Sequence, residues 1–280
     1  MDCVHSFRKC KVPVIRGGPP IHYVYIRFAG CSILLFRMPT RPEVRHTPDM
    51  KMRLHLTCLV FLGSLAGAGA QQKSVKPGIN DSFRDPGLQV VDWLKRFEIE
   101  SREVYAARDA VLEACQLKPG MVIADIGAGT GLYTHRFIDA TGPNGWVYAV
   151  DISPRFLEHI HQRARSNQTR NVTSVLCADD HVGLPPNTID LAFICDTYHH
   201  FEFPQATMQS IAQALKPGGQ LIVIDFKRIQ GVSREWTMSH VRAGQEVFRQ
   251  EITEAGLVYR EDVPITGLHE NYCMRFVKPR

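Results

Sequence analysis

The chain is short of several things, and each shortage excludes something. No apolar run is long enough to span a bilayer: the longest, Leu54 to Leu65, has about a dozen residues against the roughly 20 a spanning helix needs. None of the eight cysteines stands in CxxC spacing, and Cys115, Cys177, Cys195 and Cys273 are far apart, so neither a cysteine metal site nor a dense disulfide framework is read and no metal ligands are expected. A basic surface for nucleic acid is also missing. The total charge is +5, but residues 1–53 hold ten Lys/Arg against Asp2, Glu43 and Asp49, which leaves −2 for residues 54–280. No nucleic-acid partner is therefore expected. With 44% hydrophobic and 22% charged residues, the composition is that of an ordinary globular protein rather than a disordered one.

What is present divides into an addressing segment and a body. Residues 1–49 show no sustained period, are broken by Pro13, Pro19, Pro20, Pro39, Pro42 and Pro48, and read as an unstructured leader or an over-called start. Met50-Lys51-Met52-Arg53, the apolar run Leu54–Leu65 and Ala66-Gly67-Ala68-Gly69-Ala70 then supply the three parts of a secretory signal peptide, with Met50 or Met52 as initiator and cleavage after Ala70. On that reading the protein is exported, periplasmic or secreted. The alternatives are an organelle transit peptide, or an apolar helix over residues 50–70 attaching the chain to a membrane through residues 54–65. Without such a signal the protein would be cytoplasmic.

Residues 71–89 are polar, with Pro and Gly, and read as a linker. Val90 to Cys115 carries apolar residues at three- and four-residue steps and predicts a helix, a lid segment over residues 90–117, stopped at Lys118-Pro119-Gly120. From there to residue 280, short apolar runs alternate with helical patterns. The runs are Met121–Ile126, Trp146–Val150, Val172–Cys177, Ile189–Cys195 and Gln220–Phe226; the helical patterns are Leu132–Ala140, Arg155–Ser166 and Ala206–Leu215. Such alternation predicts an α/β fold with a parallel sheet covered on both faces. A helix near Arg242–Ala255 and strands at Leu257–Val263 and Asn271–Val277 predict a terminal hairpin on that sheet.

The strongest motif is Asp125-Ile126-Gly127-Ala128-Gly129-Thr130-Gly131, directly after a strand and opening a helix. Glycines there let the backbone turn sharply and approach a ligand, and the helix start offers free N–H groups. A dinucleotide fingerprint, GxGxxG, would need glycine at position 132, which is Leu132. The acid two positions before the first glycine disfavours a pyrophosphate and suits a ligand carrying an ammonium and a sulfonium. A nucleotide-dependent oxidoreductase is accordingly disfavoured.

Further motifs follow in order: the strand Val147-Tyr148-Ala149-Val150 ending in Asp151-Ile152-Ser153; Asp179-Asp180-His181; Asp190-Leu191-Ala192-Phe193 running to Asp196-Thr197-Tyr198-His199-His200-Phe201; and Leu215-Lys216-Pro217-Gly218-Gly219. Together with the glycine loop, over about Lys118 to the C-terminus, they resemble the class I S-adenosylmethionine (SAM)-dependent methyltransferases, most closely the small-molecule branch. The resemblance implies a Rossmann-like, doubly wound seven-stranded sheet, mostly parallel with an antiparallel C-terminal strand, SAM as cofactor and a small-molecule methyl acceptor as partner. It also implies that Gly127, Ala128, Gly129 and Gly131 pack against the methionine part of the cofactor, with Asp125 near its amino group. Asp151 would bind the ribose hydroxyls, Ile152 would lie on the adenine face, and either Asp179 or Asp180 would accept from the adenine amine. The residues after the fourth strand would line the transfer pocket. His199 and His200 are the candidate bases there, with Asp196 and Tyr198 beside them.

Simpler readings stand beside these. Asp151 could cap the helix that starts at Pro154, Asp196 could cap the turn that follows it, and the histidine pair could serve packing. Glycine-loop retention speaks for binding rather than turnover, so a non-catalytic, exported or regulatory SAM-binding protein is the alternative function. The stretch Lys227–Arg242, with Arg228, Arg234, Trp236 and His240, interrupts the sheet pattern and could hold an anionic or aromatic acceptor.

Overall fold

The computed structural model describes residues 24–28, 31–35 and 73–280. The apolar segment 54–65 and the cleavage expected after Ala70 lie outside the described residues. In the N-terminal part, β1 (Val24–Phe28) and β2 (Cys31–Leu35) pair as an antiparallel hairpin, Phe28 opposite Cys31, where the broken sequence pattern predicts no element. Ten residues of the expected unstructured leader are thus strand.

The body is built on one sheet in the order β5-β4-β3-β6-β7-β9-β8. Its strands are β3 (Val122–Ile126), β4 (Trp146–Asp151), β5 (Val172–Leu176), β6 (Ile189–Cys195), β7 (Leu215–Phe226), β8 (Val258–Asp262) and β9 (Asn271–Val277). The strands from β5 to β7 pair in parallel. β9 runs antiparallel between β7 and β8, so the last two strands form the expected hairpin with the later one inserted. The α/β class and the seven strands agree with the sequence pattern.

Burial explains why these runs are continuous. In β6, Leu191 and Phe193 face one apolar layer, while Ala192 and Ile194 face the other; in β7, Ile222 and Ile224 alternate with Leu221 and Val223 in the same way. A strand buried on both faces has no polar positions to spare. The layers are completed by helices α5 (Leu132–Thr141), α6 (Pro154–Ser166), α7 (Pro204–Ala214) and α9 (Gln245–Glu254). Fully buried Phe137, Ile160, Met208 and Phe248 represent them, each contributing on the order of 1.5–3 kcal/mol by leaving water.

Two N-terminal expectations need correction. The single helix read over Val90–Cys115 is three: α2 (Val90–Phe97), α3 (Glu103–Ala106) and α4 (Arg108–Ala114). The chain leaves helical geometry at Glu98, with φ −110° and ψ 59°, and re-enters it only after Arg102, which is extended at φ −91° and ψ 122° and pairs with Asp196. Glu103 then accepts the backbone N–H groups of His269, Glu270 and Asn271 at 2.8, 2.8 and 3.2 Å. Tertiary partners decide the break, not helix propensity. The linker over residues 71–89 is also not free: it contains α1 (Asp81–Arg84) and the buried Asn80, and it is held to the body by Val75 N–H donating to the Glu202 carbonyl at 2.9 Å. Among the described residues no helix is long and apolar enough to cross a membrane.

Candidate active site

A cavity of about 700 Å³ opens at the carboxyl ends of β3, β4 and β6. That is where α/β sheets bind ligands, because the strand order reverses there and the loops part. The glycine loop forms one wall. Gly127, Gly129 and Gly131 have φ values of +72°, +53° and +84°. A Cβ on Gly127 would lie 2.2 Å from the Thr197 side chain, so neither the conformation nor the space admits another residue. The N–H groups of Gly127 and Ala128 both donate to the Val150 carbonyl, at 2.8 and 3.1 Å, which ties the loop to the end of β4.

Two acids stand behind this loop. Asp151 accepts from Gly129 N–H and Ser153 N–H, both at 2.8 Å, so it shapes the loop as well as facing the cavity. Asp125 accepts the Thr134 hydroxyl at 2.6 Å and also lines the cavity. Burial raises both carboxyls, Asp125 to about 7 against the opposing Thr134 hydrogen bond, and Asp151 to about 6 against its backbone donors. Each is an acid for which a cationic or hydrogen-donating ligand would restore the charge.

The next wall is aromatic. Phe83 lies 4.8 Å from Trp93, and Trp93 lies 5.1 Å from Phe97, with Phe156 behind them. Phe97 comes within ordinary van der Waals distance of the Gly129 position, and Arg102 sits over the Phe97 ring at 4.9 Å. Phe97, in the segment expected as a lid, thus touches the glycine loop.

The far wall is made of histidine. His199 is buried, and its Nδ1 lies 2.8 Å from Asp225 Oδ1; its backbone N–H donates to the other oxygen of the same carboxylate at 3.1 Å. His200 Nδ1 lies 3.2 Å from Asn80 Oδ1, while Asn80 Nδ2 donates to the His200 carbonyl at 3.0 Å. His240, from α8 (Glu235–His240), stacks on Trp236 at 4.6 Å and places its Nε2 3.3 Å from His200 Nε2. The three rings offer nitrogens within 4.8 Å of one another. Burial lowers His200 to about 2 and His240 to about 4, with neighbouring imidazoles and Lys76 adding to the effect, which favours the neutral form of both rings.

Most residues singled out in the sequence meet at this cavity: Asp125, Gly127, Ala128, Gly129, Asp151, Ile152, Asp179, Asp196, His199 and His200. Three do not. Gly131 is the N-cap of α5, and a Cβ there would lie 2.8 Å from Ile160 of α6, so the position is closed by packing of the loop on that helix. Tyr198 is fully buried, donates to Glu251 at 3.1 Å and packs on Phe248. Asp180 is exposed, while its neighbour Asp179 faces the cavity and pairs with Arg84.

Asp196 is not a free base. Its φ is +48°, it pairs with Arg102, and Asn271 donates to it at 2.6 Å. From the stretch Lys227–Arg242, Arg234, Trp236 and His240 face the cavity, but Arg228 is spent on the carbonyls of Val241 and Met238. His199 and His200 also meet His240, forty residues on, in a three-histidine cluster that the sequence pattern does not group.

Sequence reasoning missed Asp225 and Asn80. Asp225 had a signal, an acid at the carboxyl end of the apolar run Leu221–Phe226, where it must be partnered to be buried. Asn80 had none.

A doubly wound sheet with one reversed strand, an acid before a glycine loop and a second acid at the end of the next strand define a nucleoside-cofactor protein of the methyltransferase type. The cavity is large enough for such a cofactor, and its two buried acids fit an amino group and ribose hydroxyls. The model of the methyltransferase domain family matches residues 117–265, and the chain belongs to the class I SAM-dependent methyltransferases.

Among curated proteins, the ubiquinone/menaquinone biosynthesis C-methyltransferase UbiE of Burkholderia orbicola is 30% identical over 114 residues, 40% of this chain and 46% of the relative. The protein of that name from Shewanella sp. is 29% identical over 120 residues, 42% of this chain and 48% of the relative. The chain thus spans about half the length of the curated relatives it matches. Among solved structures, a SAM-dependent methyltransferase from Aquifex aeolicus superposes with a TM-score of 0.57 at 22% identity, covering 68% of this chain and 97% of that one. Phosphoethanolamine N-methyltransferase 2 of Haemonchus contortus, in complex with SAM, gives 0.53 at 16% identity over 69% of this chain and 60% of that one. These likenesses establish the fold.

Proposed function

We propose that the protein transfers a methyl group from SAM to a small-molecule acceptor bound between the aromatic lid and the histidine wall. The carrying observation is that the acid-flanked glycine loop and the histidine wall face one continuous cavity. When bound, SAM supplies a methyl group on a sulfonium, an electrophile with a neutral leaving group. The chain's own residues do the rest. Asp125 would hold the amino group, Asp151 the ribose hydroxyls and Asp179 the adenine amine, with Ile152 against the ring. The α1–α3 segment excludes water, its place fixed by the Arg102–Asp196 and Glu103 contacts. Fixed distance and direction between acceptor and methyl carbon are what in-line displacement requires. Activation of the acceptor falls to the histidine wall, where Asp225 and Asn80 orient the rings as a carboxylate orients a catalytic imidazole.

Calorimetry of the full chain with S-adenosylhomocysteine, followed by homocysteine release across amine, phenol, thiol and lipid acceptors, tests this. Saturable binding and release with one acceptor class are expected. No heat at high micromolar ligand would sink the cofactor site. Binding without release across every class would leave the non-catalytic alternative.

A further inference from the structure

The histidine wall contains more than a base needs. Two of its rings are locked in one tautomer from behind. His199 faces the Asp225 carboxylate, which also accepts the backbone N–H groups of His199 and Phe226 and can only accept, so the ring proton sits on Nδ1. Asn80 uses its amide nitrogen on the His200 carbonyl, which turns its oxygen toward His200 Nδ1 and places the proton there too. Both rings are therefore anchored through Nδ1, which leaves Nε2 as the nitrogen available to a ligand. His240 brings a third nitrogen to the same point, 3.3 Å from His200 Nε2 and within 4.8 Å of the nitrogen offered by His199. One proton shared between His200 and His240 satisfies that pair alone, whereas a cation among the three satisfies all of them.

The distances suit a cation. Imidazole nitrogens bound tetrahedrally at about 2.0–2.1 Å from zinc stand roughly 3.3–3.4 Å apart. The His200–His240 pair is already at that separation. The outer partners are also those of a metal centre, since ligating histidines donate their other N–H to a carboxylate or an amide oxygen, which fixes ring orientation and strengthens the donor. Asp225, fully buried, supplies a counter-charge, and Lys76 is tied to the carbonyls of Ser239 and His240.

We propose that His199, His200 and His240 bind a divalent transition-metal ion, zinc by preference, and that its open fourth position faces the cavity and takes the methyl acceptor through an ionised oxygen or sulfur atom. A thiol or hydroxyl bound there gives its proton to solvent and keeps the electron pair. That pair forms the bond to the methyl carbon as the carbon–sulfur bond of the sulfonium breaks. The acceptor half of this inference rests on reading the cavity as a methyl-transfer site; the metal half does not.

The full chain, stripped with a chelator, is titrated with zinc against a chromophoric competitor, and with cobalt as a spectroscopic probe. One equivalent per chain and four-coordinate cobalt bands are expected. His240→Ala, at a half-buried position away from the glycine loop, should weaken zinc binding at least 100-fold while S-adenosylhomocysteine still binds. Asp225→Asn should weaken it by about 10- to 100-fold through its positioning of His199. Cobalt bands that shift on addition of mercaptoacetate would show the open position; unchanged bands would overturn it. No saturable zinc binding in the wild type, or undiminished binding in His240→Ala, would overturn the site. A chain that binds zinc but no S-adenosylhomocysteine would overturn the cofactor reading and leave the metal site standing. The opposite result would do the reverse.

Discussion

Asp125→Asn separates what the loop acid does for the cofactor from what it does to the fold. The side chain keeps its shape and can still accept the Thr134 hydroxyl, which lies 2.6 Å away. Only the charge is lost. In the unliganded protein that charge is a liability, because burial lifts the carboxyl from 3.8 to about 7. An acid whose folded value is raised holds an extra proton in the folded state between the two values. Stability therefore falls as pH rises through that window, and the full loss is present above pH 7. The gap corresponds to roughly 4 kcal/mol. At pH 8 the variant should be more stable than the wild type by on the order of 4 kcal/mol, and at pH 5 by about 2.

Denaturant unfolding of the unliganded proteins at both pH values is the assay. The difference between the two gains is the decisive quantity, because any packing effect of the amide is common to both and cancels. Calorimetry supplies the other side. Loss of a charge-assisted hydrogen bond of about 1.5–3 kcal/mol should weaken S-adenosylhomocysteine roughly 10- to 150-fold. Wild-type affinity should fall below about pH 7, where a proton must be expelled to receive the ammonium, and the variant should show no such fall. Equal gains at pH 5 and pH 8 would refute the burial account. Unchanged affinity would refute the contact with the amino group.

Two further outcomes are expected. Tyr198→Phe removes only the hydroxyl donated to Glu251 at 3.1 Å, and neither residue lines the cavity. Turnover should be unchanged and stability lowered by about 1 kcal/mol, whereas a tenfold loss of kcat would return Tyr198 to the reaction. If the segment Met50–Ala70 is an export signal, as we propose, N-terminal sequencing of the natural product should begin at Gln71; any other first residue argues against cleavage there.

The sheet was legible because its chemistry is local. Strands covered on both faces must be apolar at every position, and the runs at Met121–Ile126, Ile189–Cys195 and Gln220–Phe226 say so without reference to anything else. The glycine loop was legible for the same reason, since backbone conformation there admits little but glycine. What the pattern missed depends on partners distant in sequence. The break at Arg102 answers to Asp196, 94 residues on, and Asn80 acts on His200, 120 residues on. A polar stretch with Pro and Gly looks like a linker until the groups that hold it are known. His240 was visible only as one residue of an insert, because the helix that turns its ring toward His200 is too short to leave a periodic trace.

The cavity's titrating groups lean in one direction. At the glycine loop, burial holds Asp125 and Asp151 toward the protonated, neutral form; at the far wall, burial holds His200 and His240 toward the deprotonated, neutral form. Opposite groups brought near enough would have resolved this by exchanging a proton into ion pairs. The fold anchors the two sets at separate ends of the cavity, the acids by Thr134 and backbone N–H groups and the histidines by Asn80 and Trp236. Each end presents groups able to accept from a ligand. Two cations would complete the two ends: an ammonium beside Asp125 and, on the proposal above, a metal ion among the converging imidazole nitrogens. The methyl group would then travel between two sites that are each completed only when loaded, which confines the reaction to the moment when donor and acceptor are both in place.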